Sequence, residues 1–243
     1  MDAREDGALL RAHDLWAGYG ELDILKGIEF SVAAGEIVCV IGANGAGKST
    51  LLKTIFGEVA IRSGRLFLGA DELTGLDSRS RLRSGVVLVP QGRCNFPLMS
   101  VRENLEMGGF TRSVDEVRAG IDKAFATFPV LEQKAGVLAG NLSGGEQQLL
   151  EMGMALVLDP RVILIDEPSL GLSHAMQRRV FDTLRSLAAH DVGVLLVEQN
   201  AVQALDASDR GLVVELGRVA FEGSGAGMLE DPHVRHAYLG LDT

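Results

Sequence analysis

The chain has 243 residues and a formal net charge of −10 at pH 7, and 47% of its residues are hydrophobic. This length predicts one large domain, or a core with an inserted lobe, and the apolar content argues against disorder. The acidic balance argues against a duplex nucleic-acid binder, and only two cysteines, Cys39 and Cys94, argue against a disulfide framework and fit a reducing cytosol.

In chain order, short apolar runs alternate with segments whose apolar residues recur at helical spacing. Several of the apolar runs show no alternation, so both faces of those strands should be covered. The order of elements predicts an α/β fold with a largely parallel sheet, preceded by antiparallel strands before about residue 35. The expected strands are at residues 28–32, 36–41, 86–89, 162–165, 192–197 and 212–216, and the expected helices at 48–56, 114–128, 177–188 and from 149 onward.

The segment from about residue 92 to 157 breaks this alternation, because its patterns are mostly helical. We interpret it as a helical lobe inserted into an α/β core. The core then comprises residues 1–91 and 158–243 of a single domain that spans 1–243. No internal repeat or low-complexity stretch indicates a different organisation.

A glycine-rich loop, GANGAGKST at residues 42–50, lies between the apolar IVCVIG and the helical LLKTIF. It matches G-x-x-x-x-G-K-[ST], in which the backbone N–H groups point inward at phosphate oxygens and the helix start adds partial positive charge. Lys48 is expected to reach the β- and γ-phosphates, and the Ser49 hydroxyl to ligate Mg²⁺. The predicted nucleotide-binding residues are Gly42, Asn44, Gly45, Gly47, Lys48, Ser49 and Thr50.

Residues 162–168, VILIDEP, lead four apolar residues into Asp166 and Glu167. An acidic pair at the end of a buried strand costs free energy unless a cation or hydrogen bonds compensate. Asp166 is suited to hold Mg²⁺ through its water shell, and Glu167 to orient or deprotonate an attacking water. The alternative is a solvated loop start.

Residues 142–148 read LSGGEQQ, in which Ser143 and Glu146 form an S-x-x-E capping box for the helix that we expect at Leu149. A capped helix start with glycines exposes N–H groups and is an anion site. Two phosphate-binding helix starts with one glycine-rich phosphate loop indicate that the second start serves another subunit's nucleotide.

The three motifs GANGAGKST, LSGGEQQ and VILIDEP, in that order, resemble the ATP-binding subunits of ABC transporters over nearly the whole chain. The resemblance implies a P-loop NTPase core with an N-terminal antiparallel β subdomain and the helical lobe. It also implies a head-to-tail dimer, of two copies or of two different ATPases, with ATP between the P-loop of one subunit and Ser143, Gly144 and Gly145 of the other.

Further positions match family elements residue by residue. Tyr19 matches the aromatic that stacks on adenine, and the alternative is an ordinary surface tyrosine. Gln91, in VLVPQGR, matches the glutamine that contacts Mg²⁺ and the water and links to the membrane partner. Residues 169–172, SLGL, match the loop that touches its counterpart across the dimer, although they lack the commoner aspartate.

Glu198 and Gln199 end a strand where most family members carry a histidine that touches the γ-phosphate. The amide of Gln199 can donate a hydrogen bond to phosphate but cannot become a cation. Glu167 is therefore expected to bear the acid–base role, and the catalytic set is Glu167, Gln199 and Lys48. The alternative for Gln199 is a strand cap that faces solvent.

The stretches LLVEQNA, DEPSLGLS and VPQGR resemble the shorter of the two ATPases in branched-chain amino acid importers. ATPases of urea or amide importers and small export ATPases are alternatives, and a nucleotide-gated ATPase acting on nucleic acid is a rival of another class. The implied partners are a second ATPase subunit, an integral membrane permease and, indirectly, a solute-binding protein, with no nucleic acid. The implied location is the cytoplasmic face of the bacterial inner membrane, and no run reaches the ~18 apolar residues of a membrane span.

Overall fold

The computed structural model describes residues 8–239, and residues 1–7 and 240–243 lie outside the described part. The strands are β1 (Ala8–Tyr19), β2 (Leu22–Ala33), β3 (Ile37–Ile41), β4 (Ile61–Leu68), β5 (Asp71–Glu72), β6 (Val86–Val89), β7 (Val162–Asp166), β8 (Gly193–Val197), β9 (Arg210–Glu215) and β10 (Arg218–Ser224). The helices are α1 (Lys48–Phe56), α2 (Ser78–Arg83), α3 (Val101–Gly108), α4 (Val114–Thr127), α5 (Pro129–Gln133), α6 (Gly144–Val157), α7 (His174–Ala188), α8 (Ala201–Ala207), α9 (Gly225–Glu230) and α10 (Pro232–Val234).

The larger sheet has six strands in the order β10-β9-β3-β8-β7-β6. Neighbouring strands from β9 to β6 pair in parallel, and β10 is an antiparallel edge strand. Every residue of β3, β7 and β8 is buried. Burial on both faces explains why these strands are apolar without alternation, and it confirms the predicted parallel sheet.

The smaller sheet is antiparallel, in the order β2-β1-β4-β5, as predicted for the residues before about 35. Helix α1 lies in the core between the two sheets. Its Leu51, Leu52 and Ile55 are fully buried in one cluster with Leu10 of β1 and Leu164 of β7. The apolar stripe of α1 thus fixes the helix, and the loop that precedes it, against both layers.

Helices α3 to α6 occupy the predicted helical segment, which contains no named strand. Serine caps with a glutamate three residues later begin α3, α4 and α6, and in each both halves of the capping box are made. The lobe boundaries at residues 92 and 157 stay a prediction. The predicted helix start at Leu149 is wrong: α6 begins at Gly144, because the Ser143 cap outweighs the low helix propensity of two glycines.

Some boundaries differ from the predicted ones, and several short elements had no clear pattern. The bounds of α1 and β6 are as predicted, while α7 begins three residues before the expected residue 177. Strand β4 and the elements α8, β10, α9 and α10 were not expected. Within the described residues, no helix is both long enough and apolar enough to span a membrane.

One buried cation secures the end of α1. Arg81 of α2 is 2% exposed, and its guanidinium donates to the backbone oxygens of Thr54 and Ile55 at 2.6 and 2.9 Å. It also donates to the oxygens of Thr74 and Leu76 at 3.1 and 2.9 Å. Burial lowers the pKa of Arg81. The side chain satisfies carbonyl groups that a helix end otherwise leaves without partners.

We expect Arg81→Ala to lower the free energy of unfolding by about 3 kcal/mol, since it strands several buried carbonyl oxygens. Urea unfolding measures the loss. Arg83→Ala is the matched control, because Arg83 is exposed on the same helix. Equal stability of the two variants would show that Arg81 does not hold this corner.

Candidate nucleotide-binding site

Four polar segments meet at the carboxyl edge of the larger sheet. The P-loop (residues 42–50) follows β3, the acidic pair ends β7, Gln91 follows β6, and Glu198 follows β8. These strands are parallel neighbours in the order β3-β8-β7-β6, so their carboxyl ends lie side by side. In open α/β sheets this edge is where ligands bind.

The path of the P-loop depends on two glycines. Gly42 has φ 150°, and a Cβ built on it would lie 2.2 Å from the backbone oxygen of Val214 in β9. Gly47 has φ 109° and forms the N-cap of α1 without a side-chain cap. Ala43, Asn44 and Gly45 form the exposed crest of the loop, and Ser49 and Thr50 are half-buried in the first turn of α1. The helix start is therefore open to an anion.

Lys48 is bent back over the P-loop. It is 7% exposed, and its Nζ donates to the backbone oxygens of Gly42 at 2.7 Å and Ala43 at 3.1 Å. Burial lowers the pKa of Lys48, and the carboxylates of Glu167 and Asp166 act in the opposite direction. The ammonium group is thus held inside the loop, where a phosphate chain would meet it.

The residues present fit a magnesium ion at the predicted position. Asp166 is 7% exposed, and its Oδ1 is buried without a hydrogen-bond partner among the described residues. Burial raises the pKa of Asp166, while the Ser49 hydroxyl and two lysines lower it. Such an unsatisfied oxygen beside a hydroxyl suits Mg²⁺, which takes one or two protein ligands together with waters and phosphate oxygens.

Glu167 is held in a strained and fixed position. Its φ is 49°, which is unusual for a residue with a side chain, and its N–H donates to the backbone oxygen of Val197 in β8 at 2.8 Å. Its Oε2 accepts from Nε2 of Gln91 at 2.8 Å. The structure thereby brings together two predicted residues that lie 76 positions apart in sequence.

The three polar residues that follow β8 lie in three different environments. Glu198 is 2% exposed, and its Oε1 accepts from the N–H of Ser169 at 2.9 Å. Gln199 is exposed, and Asn200 caps α8 by accepting from the N–H of Gln203. Sequence reasoning missed the role of Glu198, which fixes the loop after the acidic pair by accepting the hydrogen bond from Ser169. Its only signal was a carboxylate directly after a fully apolar strand.

Burial raises the pKa of Glu198, and hydrogen bonds from Ser169 and Gln199 lower it. The Glu167 carboxylate raises it further. Two acidic side chains therefore lie close together at the ends of adjacent strands, and each has its own donor. Because like charges repel, this corner is stabilised when a cation is present.

Tyr19 lies at the margin of this edge. Tyr19 is 52% exposed at the end of β1 and pairs with Leu22 across the hairpin. The same hairpin packs against the P-loop, since Ile24 and Leu25 lie within 3.4 Å of a Cβ built on Gly47. An exposed aromatic ring beside the loop is available for stacking on a base.

The Ser143 turn (residues 142–145) makes its contacts away from the P-loop. Ser143 accepts from the N–H of Glu146, and Glu146 in turn accepts from Lys134 at 2.7 Å. A Cβ on Gly145 would lie 2.1 Å from the side chain of Met176 in α7, so any side chain there would require Met176 to move. The capping box is confirmed. The N–H groups of Gly144 and Gly145 lie outside the box, so this helix start is a second candidate anion site.

Comparison with known proteins identifies the fold and the class. A family model described as ABC transporter matches residues 25–170. The structure matches an ATP-binding cassette of an ABC transporter, solved in its ADP conformation, with a TM-score of 0.87 at 27% identity, and covers 96% of this chain and 99% of that one.

Two similar relatives carry the names of transport proteins. The first, 45% identical, is the high-affinity branched-chain amino acid transport ATP-binding protein BraG of Pseudomonas aeruginosa, with 91% of this chain and 95% of that protein covered. The second, 39% identical, is the probable branched-chain amino acid transport ATP-binding protein LivF of Archaeoglobus fulgidus, with 96% and 99% covered.

Proposed function

The chain belongs to the family of ABC transporter ATP-binding domains, and we propose that it is an ATP-hydrolysing subunit of a branched-chain amino acid importer. The observation that carries the solute class is its 45% identity, over nearly its whole length, to a relative named for that transport. The amino acid itself never needs to touch an ATPase subunit, so the site supports the reaction and not the choice of solute.

ATP is proposed to bind along the P-loop. The backbone N–H groups of residues 42–50 and the open start of α1 face the phosphates, and Lys48 neutralises the β- and γ-phosphates. To do so, Nζ exchanges its bonds with the Gly42 and Ala43 oxygens for phosphate oxygens. Tyr19 is proposed to stack on the adenine.

Glu167 is proposed to act on the attacking water. Its carboxylate accepts that water's hydrogen bond, and its strained backbone and its bond to Gln91 fix the direction of the carboxylate. Lys48 stabilises the negative charge that develops on the transferred phosphoryl group. Ser49, Asp166 and Gln91 would hold Mg²⁺, which would neutralise negative charge on the phosphate chain.

The second half of the site is proposed to come from another ATPase subunit. Within its own chain the Ser143 turn lies beside Met176, and Glu146 directly after it accepts from Lys134; neither Met176 nor Lys134 belongs to the P-loop. Its bare N–H groups therefore suit a γ-phosphate bound by a neighbour, in a dimer of two copies or of two different ATPases. Leu170, 55% exposed in the loop after the acidic pair, adds an apolar contact to that interface.

A permease is proposed to dock beside the Gln91 loop (residues 91–96). Phe96, the last residue of that loop, is 42% exposed, and Leu98 shortly after it is 87% exposed. A groove of about 380 Å³ lies on the helices that follow, with Phe110 and Val114 in its wall at 74% and 77% exposed. The groove combines these apolar side chains with charged ones such as Arg102 and Arg118, which suits a short amphipathic helix. The subunit would then lie at the cytoplasmic face of the bacterial inner membrane, served indirectly by a solute-binding protein.

Gln199→Ala is expected to slow ATP turnover roughly ten- to hundredfold, because a hydrogen bond to a charged phosphate is worth about 1.5–3 kcal/mol. Steady-state kinetics of phosphate release gives kcat. Gln133→Ala, at an exposed position of α5, controls for loss of an amide. A Gln199→Ala enzyme within twofold of wild type would remove Gln199 from the site.

Co-purification from membranes tests the importer assignment. The expected companions are a permease, a second ATPase and an amino-acid-binding protein. Recovery with a urea or amide system, or with an exporter, would contradict the solute class. Recovery with ribosomes or DNA would contradict transport itself.

Phe96→Ala combined with Leu98→Ala is expected to reduce recovery of the permease at least tenfold while nucleotide affinity stays unchanged, since neither side chain faces the P-loop. Leu76→Ala is the control, because Leu76 is similarly exposed, at 39%, before α2. A misfolded double variant would instead place Phe96 and Leu98 within the packing of the helical segment.

A further inference from the structure

A buried carboxylate on α6 contacts the Gln91 loop. Glu151 lies on α6, about two turns beyond Ser143, and is 5% exposed. Its Oε1 accepts from the backbone N–H of Cys94 at 2.8 Å and from Nδ2 of Asn95 at 3.0 Å. One oxygen of α6 thus holds two donors of a loop that lies more than 50 residues away in sequence.

The other oxygen of this carboxylate has no partner among the described residues. Oε2 of Glu151 is buried, in a region where a cavity of about 140 Å³ is lined by Cys94, Gly108 and Met154. Burial raises the pKa of Glu151, and its bonds to the loop and the charge of Arg93 lower it. A half-satisfied buried carboxylate costs free energy, so packing alone does not account for a glutamate at this position.

The Gln91 loop is attached to three separate elements. At its start, the Gln91 amide donates to Glu167 at the end of β7. At its end, the fully buried side chain of Asn104 in α3 bonds both the N–H and the oxygen of Phe96, at 2.7 and 3.0 Å. Between these two points, Glu151 is the attachment to the helix that begins at the Ser143 turn.

We propose that Glu151 is a positioning residue that makes the Gln91 loop and the start of α6 move as one unit. The inference rests on the proposed function, in which the Ser143 turn binds the γ-phosphate of a nucleotide held by a neighbouring subunit. Since α6 is a rigid helix, a displacement at Ser143 reaches Cys94 and Asn95 through the carboxylate. The Gln91 amide then donates its hydrogen bond to Glu167 only when the start of α6 is in place beside the loop.

Glutamine and alanine at position 151 separate the acceptor oxygen of Glu151 from its charge. Glu151→Gln keeps an oxygen that can accept from the Cys94 N–H and the Asn95 amide. Glu151→Ala removes that acceptor and leaves both donors without a partner. Asn95→Ala removes one of the two bonds from the loop side without changing α6.

Amide hydrogen exchange on the full, nucleotide-free chain tests the attachment directly. Exchange at Cys94 should rise roughly tenfold or more in Glu151→Ala, and stay near wild type in Glu151→Gln. Glu132→Gln is the control, because Glu132 is exposed on α5. Wild-type exchange at Cys94 in Glu151→Ala would overturn the proposal.

Turnover then tests the consequence. In Glu151→Ala, kcat should fall about tenfold with KM for ATP unchanged, because the P-loop is untouched. In Glu151→Gln, kcat should stay near the wild-type value. In Asn95→Ala, kcat should lie between the values of the wild type and Glu151→Ala. Unchanged kcat in Glu151→Ala, or an equal loss in Glu151→Gln, overturns the positioning role. If Glu151→Ala does not fold, Asn95→Ala with unchanged exchange and kcat overturns it. A wild-type chain that hydrolyses no ATP even with its companion ATPase and permease present refutes the proposed function, and the exchange measurement still decides the attachment.

Discussion

Charged side chains buried at the end of an apolar sheet are the constraint on which this site depends. Lys48 and Asp166 are each 7% exposed and Glu198 is 2% exposed. Asp166 ends β7, Glu198 directly follows β8, and Lys48 begins the helix that the P-loop joins to β3, and every residue of these three strands is buried. Such groups are costly unless each has a partner. Lys48 has loop carbonyls and Glu198 has the Ser169 N–H, while one oxygen of Asp166 has no partner within residues 8–239. A bound phosphate chain would give Lys48 an anionic partner, and a bound cation would give one to the Asp166 oxygen.

The same constraint bears on the proposal that a second subunit completes the site. The sheet edge provides a cation, two carboxylates and an open helix start, which together suit one face of a triphosphate. The Ser143 turn is built like a second anion site but makes its own contacts elsewhere in the chain. A ligand that spans two such faces can hold two subunits together, and hydrolysis removes the group that both faces share.

The sequence predicts the parts of this fold where the local signal and the tertiary packing agree. The bounds of α1 and β6 follow from a motif and an apolar run, and the glycines of the P-loop occupy backbone angles that favour glycine. The start of α6 was wrong because its apolar period begins only at Leu149, although the predicted Ser143 capping box marks the true start. Short elements after β9 lack enough residues to show a period. The assigned roles of the site residues remain predictions.

Glu198 and Glu151 show what sequence patterns cannot supply. Each is a glutamate next to apolar residues, and its meaning depends on a distant backbone N–H, at Ser169 or at Cys94. No spacing rule connects residues that far apart. For the same reason the bond between Gln91 and Glu167 could be expected only from a resemblance, whereas the structure gives its two atoms.

The most direct measurement is the mass of the Glu167→Gln chain in solution with ATP and magnesium, in the presence of its companion ATPase. Removing the carboxylate that acts on water should leave ATP bound and uncleaved between two subunits, so the account predicts a stable dimer that is absent with ADP. A chain that stays monomeric with ATP under these conditions would contradict a triphosphate shared between the P-loop and a neighbour's Ser143 turn.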